Sequence, residues 1–143
     1  MKTFDPASIP KYAVIRLPFQ FPDSPYRTSK FFVVLCHRGG YAICVKATSR
    51  VDVYLNNEQQ MVGCVFYKSG EVKYFNQDTA IQPGNQVPIS HDQLSAAHYN
   101  SELEIMEILP PDFEQKLRKA IQQSVTISGR ERKRILNIID SPS

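Results

Sequence analysis

Residues 29–50 read SKFFVVLCHRGGYAICVKATSR, and this stretch decides the fold. Two runs rich in β-branched and aromatic residues meet at Gly39-Gly40. The central positions of a tight hairpin turn need positive φ, which glycine adopts without a steric penalty. The stretch therefore predicts a β-hairpin.

The first arm of this hairpin is apolar at every position from Phe31 to Cys36. A strand that faces solvent on one side alternates apolar and polar residues, whereas a continuous apolar run is typical of a strand covered on both faces. We therefore expect this arm to be a central strand of a small barrel or sandwich.

The length of 143 residues suits one domain spanning residues 1–143. The three cysteines, Cys36, Cys44 and Cys64, lie inside predicted strands without metal-ligand spacing, so we expect buried thiols and neither a metal nor another cofactor. Since the sequence shows no signal peptide and no apolar run of bilayer length, we expect a cytoplasmic protein that does not associate with membranes.

Further extended segments surround the hairpin, and helical patterns follow them. Residues 12–17 predict a first strand that ends at Pro18, and residues 61–67 and 72–75 predict a second hairpin. Short extended pieces at 79–81 and 87–89, and a final strand at 102–108, for which a helix is the alternative, complete a predicted barrel over about 11–109.

The last third of the chain predicts two amphipathic helices, within a segment of about 110–140. Apolar residues at helical spacing follow Pro110-Pro111-Asp112, and Ser128-Gly129-Arg130-Glu131 has the form of a capping box. The fold class is therefore mainly β (α+β), a small barrel with C-terminal helices. The net charge is +3 and the basic residues crowd these helices, which predicts either solvated helix faces or contact with nucleic acid.

The histidines offer little chemistry on sequence grounds. His37 lies at the hairpin tip, where it is either a polar turn residue or a proton shuttle. His91 follows Ser90, a predicted cap of a short helix through Leu94, and is expected to be a first-turn residue.

The order of elements resembles that of the PemK/MazF toxin family over about residues 11–109. The resemblance is carried by a strand, a Pro-rich loop, Lys30-Phe31-Phe32-Val33-Val34-Leu35, a short turn, Ala42 to Ser49, and Pro88 to Leu94. It implies an SH3-like β-barrel, a homodimer, and an RNA endonuclease that needs no metal and is inhibited by an antitoxin peptide.

Several site residues follow from this resemblance and from the charges around the hairpin. Lys30-Phe31, with Arg27 before it, lies where the family has Arg-Pro, and Thr48-Ser49 matches the family's Thr-Ser. The candidate catalytic residues are Arg27, Lys30, Thr48 and His37. The candidate nucleic-acid-binding residues are Tyr26, Arg38, Lys46, Ser49 and Arg50.

Three functions remain open from the sequence. The first is a metal-independent endoribonuclease. The second is a non-catalytic nucleic-acid-binding barrel, favoured because Gln82 and Gly84 lie where some family members have a charged pair. The third is a barrel that binds an extended peptide under the aromatic loop of residues 19–26.

Overall fold

The computed structural model describes residues 3–19, 28–49, 51, 63–73, 75, 77–124 and 127–141. Within these ranges the chain forms a short 3-10 helix, six strands and three α-helices. The 3-10 helix is Pro6–Ser8, and the strands are β1 (Ala13–Phe19), β2 (Thr28–Arg38), β3 (Tyr41–Thr48), β4 (Val65–Tyr67), β5 (Thr79–Ser90) and β6 (Glu104–Ile108). The helices are α1 (His91–Tyr99), α2 (Phe113–Gln123) and α3 (Gly129–Asp140).

The six strands form one antiparallel sheet in the order β4-β5-β3-β2-β1-β6. The sheet curls so that the segment after β4 approaches β6 from the other end of the sheet. There the backbone N–H of Lys73 donates a hydrogen bond to Oε1 of Glu107 at 2.8 Å. The fold is thus a mainly β, half-barrel sheet with three helices, which confirms the predicted fold class.

The hairpin at Gly39-Gly40 is present. Arg38 pairs with Tyr41 as the last rung of the β2–β3 ladder, and the two glycines have φ of 55° and 81°. Positive φ at both positions is what a two-residue turn of this twist requires. The central strand prediction is also confirmed, because β2 lies between β1 and β3 in the sheet.

Both faces of β2 are buried, by two separate hydrophobic clusters. The first cluster packs α2 and α3 against one face of the sheet, and Val33 and Leu35 belong to it. The second packs α1 and the N-terminal lead, residues 3–12, against the other face, and Phe32 and Val34 belong to it. Alternate residues of the apolar run therefore serve different cores, which is why the run contains no polar position.

A β-bulge interrupts this alternation near the hairpin. Val34 pairs with Cys44 but Cys36 pairs with Ile43, so Leu35 is the extra residue in β2. Leu35 and Cys36 consequently both face the first cluster. The shift turns His37 toward the face that holds α1, since its partner Ala42 belongs to the second cluster.

The helix starts follow the predicted capping signals. Ser128 Oγ accepts a hydrogen bond from the backbone N–H of Glu131 at 3.1 Å, and Ser90 Oγ accepts one from Gln93 at 3.0 Å. The helix at Phe113–Gln123 was predicted from 112 to 123. Helix α1 continues to Tyr99, beyond the predicted end at Leu94, because Leu94 and Ala97 both bury against the second cluster.

Three local predictions were wrong in extent. Strand β1 continues through Pro18 to Phe19. Its pairing with β6 ends at Arg16, so a proline beyond that residue breaks no ladder bond on that side. The pieces at 79–81 and 87–89 belong to one strand, β5. Within the predicted strand 72–75, the described residues form one isolated parallel bridge, between Val72 and Ser69, and no longer ladder.

Many of the basic side chains on the C-terminal helices have partners within the protein. Arg132 donates from Nε to the carbonyl of Ile121 at 3.2 Å and from Nη2 to that of Ser124 at 3.0 Å. Lys116 and Arg118 form ion pairs within α2 and to α3. These contacts favour the structural interpretation of the basic segment over nucleic-acid contact.

None of the helices in the described part of the chain is both long enough and apolar enough to cross a bilayer.

Candidate nucleic-acid interface

Lys30 and Thr48 lie side by side at one end of the sheet. Phe31 pairs with Ala47 across the antiparallel strands β2 and β3, and Lys30 and Thr48 each lie one residue beyond that pair. Both are half-buried. The structure thus brings together two of the four candidate catalytic residues. We call this region the Lys30–Thr48 end.

A cavity of about 160 Å³ opens beside Thr48 on the face that carries the first cluster. Hydroxyl and amide groups line one part of it and two aromatic rings line the other. Its lining residues are Phe31, Ala47, Thr48, Ser49, Phe75, Gln77 and Thr79. Such a mixture of ring faces and hydrogen-bonding groups suits a flat, polar-edged ligand such as a nucleobase.

A cation lies next to the two aromatic rings of the cavity. Phe31 and Phe75 meet edge to face, with centroids 6.3 Å apart and an interplanar angle of 90°. The guanidinium carbon of Arg16 lies 5.6 Å from the centroid of Phe31, within cation–π range. Arg16 also forms an exposed ion pair with Glu104 at 3.4 Å, which leaves its charge accessible to solvent and to an anion.

Among the described residues that line this cavity, none exchanges a proton near neutral pH. The seven described lining residues are uncharged. The carboxylate adjacent to them in sequence, Asp78, accepts a hydrogen bond from the backbone N–H of Ser69 at 2.9 Å. The described lining therefore offers binding groups and no general base.

His37 lies at the opposite end of β2 from Lys30. The two are seven residues apart on an extended strand, a separation on the order of 20 Å. Arg38 lies at this far end too, where it donates hydrogen bonds to Ser141 Oγ and to the carbonyl of Asn137. Neither residue is brought together with Lys30 and Thr48 in this chain.

Lys46, Gln82 and Gly84 lie nearer to the Lys30–Thr48 end. Lys46 pairs with Phe32 and so projects on the α1 face, as Lys30 does through its pairing with Leu17. Gln82 and Gly84 fall in the irregular part of β5 between its pairings at Ile81 and Gln86. Gln82 and Gly84 are both uncharged, so neither position supplies a charged side chain to the site.

Several predictions lie outside the described residues. They are the roles of Tyr26, Arg27 and Arg50, and the peptide groove under the loop of residues 19–26.

The cysteines are protonated thiols within the core at neutral pH. All three are buried and free of disulfides, as predicted. Burial raises the pKa of Cys64 to about 11, and burial also raises the pKa of Cys44 and Cys36. Thiolate is the nucleophilic form, so these groups are inert at neutral pH. The described residues contain no cluster of three or more metal-ligating side chains.

The sequence signals for the remaining site residues were weak. Arg16 is the one charged residue in the run from Tyr12 to Leu17. A lone cation in an otherwise apolar strand could have marked it as a candidate binding residue. Phe75, Gln77 and Thr79 carry no such sign, because their approach to β3 depends on how the sheet curls.

Comparison of the chain with family models, with curated proteins and with solved structures finds no match.

Proposed function

We propose that this protein binds single-stranded RNA at the Lys30–Thr48 end and does not cleave it, as a degenerate relative of the PemK/MazF-like ribonucleases that it resembles. The observation that carries the proposal is a cavity at the Lys30–Thr48 end that is lined by Phe31 and Phe75, with the guanidinium of Arg16 over the ring of Phe31.

The chemistry of this end suits a flexible nucleic-acid strand. Arg16 supplies positive charge for a phosphate on the cavity face, and Lys30 supplies it on the opposite face at the same end of the sheet. The cavity supplies ring faces for a base. Thr48, Ser49 and Gln77 supply hydroxyl and amide groups for its polar edges. A single strand presents unstacked bases to such a cavity, whereas a duplex does not.

Binding without cleavage is favoured because the described lining of the cavity contains no proton acceptor. Metal-free cleavage needs a base for the 2′-hydroxyl and an acid for the leaving oxygen. The described lining has neither, and His37 is at the far end of β2. An antitoxin-type peptide and a second copy of the chain remain the partners that the resemblance implies.

The test measures binding and cleavage of a mixed-sequence RNA by the full chain in the presence of a chelator. Lys30→Gln should weaken binding and reduce the magnitude of the salt slope by about one. Phe31→Leu, which keeps the apolar contact to the core, should weaken binding by roughly 1 to 3 kcal/mol with an unchanged salt slope.

Two controls accompany these variants. Lys133→Gln removes an exposed charge from α3 and should leave binding unchanged. Arg27→Ala tests the residue that the resemblance adds to the site. Unchanged affinity in both Lys30→Gln and Phe31→Leu would reject this binding site, and discrete new RNA ends that are lost in Lys30→Gln would identify a nuclease instead.

A further inference from the structure

His37 and His91, from different elements, meet at the end of the molecule opposite the Lys30–Thr48 end. Nδ1 of His37 lies 2.9 Å from Nε2 of His91, and Nε2 of His37 lies 2.8 Å from the carbonyl oxygen of Ile9. Ile9 belongs to the N-terminal lead, His37 to β2 and His91 to the first turn of α1. Three separate segments of the fold therefore meet through two imidazoles.

The partners fix the tautomers of both rings. A carbonyl oxygen only accepts, so Nε2 of His37 carries a proton and donates it to Ile9. In the neutral ring Nδ1 of His37 is then an acceptor, and Nε2 of His91 must donate to it. The neutral pair thus has one possible arrangement, with both rings protonated at Nε2.

The ring geometry is that of a hydrogen bond rather than of two ligands to a metal ion. The ring centroids are 5.0 Å apart while the nitrogens are 2.9 Å apart. Each nitrogen therefore lies close to the line that joins the two ring centres, so the nitrogen of one ring points at that of the other. Metal ligation would instead require both lone pairs to converge on a third point.

This arrangement tolerates one added proton but not two. If His37 takes up a proton, its Nδ1–H donates to an unprotonated Nε2 of His91 and the contact persists. If both rings are protonated, two N–H groups and two positive charges face each other, and the contact is lost. We propose that His37 and His91 form an acid-sensitive clasp, which holds the first turn of α1 against β2 at neutral pH and releases it when both imidazoles are protonated.

The surroundings of His91 oppose its protonation. Burial lowers the pKa of His91, and the neighbouring His37 lowers it further, while Asp5 of the lead and Asp92 of α1 act in the opposite direction. His91 is also the first residue of α1, where the helix dipole disfavours a cation. The clasp is therefore closed at neutral pH and opens as the pH falls below the ordinary histidine range.

Other charged groups in this region do not form part of the clasp. Arg38 follows His37 in β2 but binds the C-terminal end of α3. Lys11 of the lead also reaches that end, through the carbonyl of Ser141. His98 stacks on Phe4 of the lead with centroids 4.2 Å apart, and a protonated ring still stacks favourably on an aromatic face.

Release of the first turn of α1 has a measurable consequence in its own backbone. The N–H of His91 donates to the carbonyl of Gly40 at 2.8 Å, and that of Gln93 to Oγ of Ser90 at 3.0 Å. Opening of the clasp leaves Ile9 in place, because a protonated His37 still donates from Nε2 to its carbonyl. The amides of His91 and Gln93 should exchange faster in the open state, while those of the β2–β3 ladder should not.

The experiment is amide hydrogen exchange of the full chain at pH 7.5 and 5.0, with rates corrected for the intrinsic pH dependence. We expect the protection of the amides of residues 91 and 93 to fall severalfold at pH 5.0 and that of Val33 and Val45 to hold. His91→Gln, whose amide can donate to Nδ1 of His37 without titrating, should abolish the pH effect. His98→Gln should retain it.

Two results would overturn the proposal. One is protection of the amides of residues 91 and 93 that does not depend on pH, or depends on it equally in His91→Gln. The other is loss of their protection on adding a chelator at pH 7.5, which would indicate a bound metal. A second measurement does not depend on a variant: nitrogen chemical shifts should show both rings protonated at Nε2 at pH 7.5, and the Nδ1–H form in either ring would contradict the clasp.

Discussion

Tyr12 and Glu114 are 102 residues apart in the sequence, and Oη of Tyr12 donates a hydrogen bond to Oε1 of Glu114 at 2.6 Å. The contact joins the end of the lead to α2. The backbone of Tyr12 is equally engaged, since its carbonyl accepts from the N–H of Leu109 at 3.0 Å. Its φ of 66° is unusual for a residue with a side chain, and these contacts hold it there.

Removal of this hydroxyl should destabilise the fold. Tyr12→Phe keeps the edge-to-face contact with Phe113 and removes a bond to a carboxylate. Glu114 keeps Arg118 as an ionic partner at 3.7 Å, so we expect a loss of about 1 to 2 kcal/mol in the free energy of unfolding. Urea denaturation measures this loss. Tyr99→Phe, at an exposed tyrosine, should change stability by less than about 0.5 kcal/mol.

Stability should decline at alkaline pH. Burial and the hydrogen bond to Glu114 raise the pKa of Tyr12, and burial raises that of Tyr67 to about 12. Between about pH 10 and 12 the unfolded tyrosines ionise while the folded ones keep their protons, so the free energy of unfolding falls as the pH rises. Urea titrations at pH 8, 10 and 11 measure this slope. Tyr12→Phe and Tyr67→Phe should each flatten it, and an unchanged slope in both would contradict the assignment.

Tyr67→Phe should also stabilise the protein at pH 7. Among the described residues, the hydroxyl of Tyr67 is a buried side-chain oxygen without a hydrogen-bond partner. An unsatisfied buried hydroxyl costs about 1 to 3 kcal/mol, and phenylalanine keeps the ring that contacts Phe75. We expect a higher melting temperature in thermal unfolding. A lower one would show that the hydroxyl has a partner in solution, such as a bound water.

Arg132 should contribute more to stability than the neighbouring Lys133. Its guanidinium caps two carbonyls at the C-terminal end of α2, whereas Lys133 is exposed on α3. Arg132→Met should lower the free energy of unfolding by about 1 to 2 kcal/mol because it leaves those carbonyls without their donors. Lys133→Met should leave the urea midpoint nearly unchanged. Equal effects of the two changes would argue against the capping role.

Gly40→Ala should destabilise the hairpin through the backbone alone. A Cβ at Gly40 meets no atom within 4 Å, but its φ is 81°. We expect a cost of about 1 to 2 kcal/mol in thermal unfolding. Gly129→Ala is the matched change, because its Cβ also meets nothing within 4 Å and it begins a helix without positive φ. That variant should be neutral or more stable than wild type.

Much of the candidate site followed from local sequence, and part of it did not. Lys30 and Thr48 were predicted from the family resemblance and from the charged and hydroxyl groups that flank the hairpin, and the Gly39-Gly40 turn fixes the register that brings them together. Arg16 and Phe75 were not found, because their approach to Phe31 depends on the pairing of β1 with β2 and on the curl of the sheet. Neither the contact of Arg16 with Phe31 nor that of Phe75 with Phe31 can be predicted from local sequence patterns.

The sequence by itself determined the hairpin, the double burial of β2 and the starts of the C-terminal helices, because glycine φ, apolar periodicity and side-chain caps act between near neighbours. Only the tertiary structure decided the environment of His37. One extra residue at Leu35 shifts the phase of β2 and turns this side chain toward His91 and Ile9. The position of a bulge depends on the register of two strands that are packed on both faces, so no local sequence pattern predicts it.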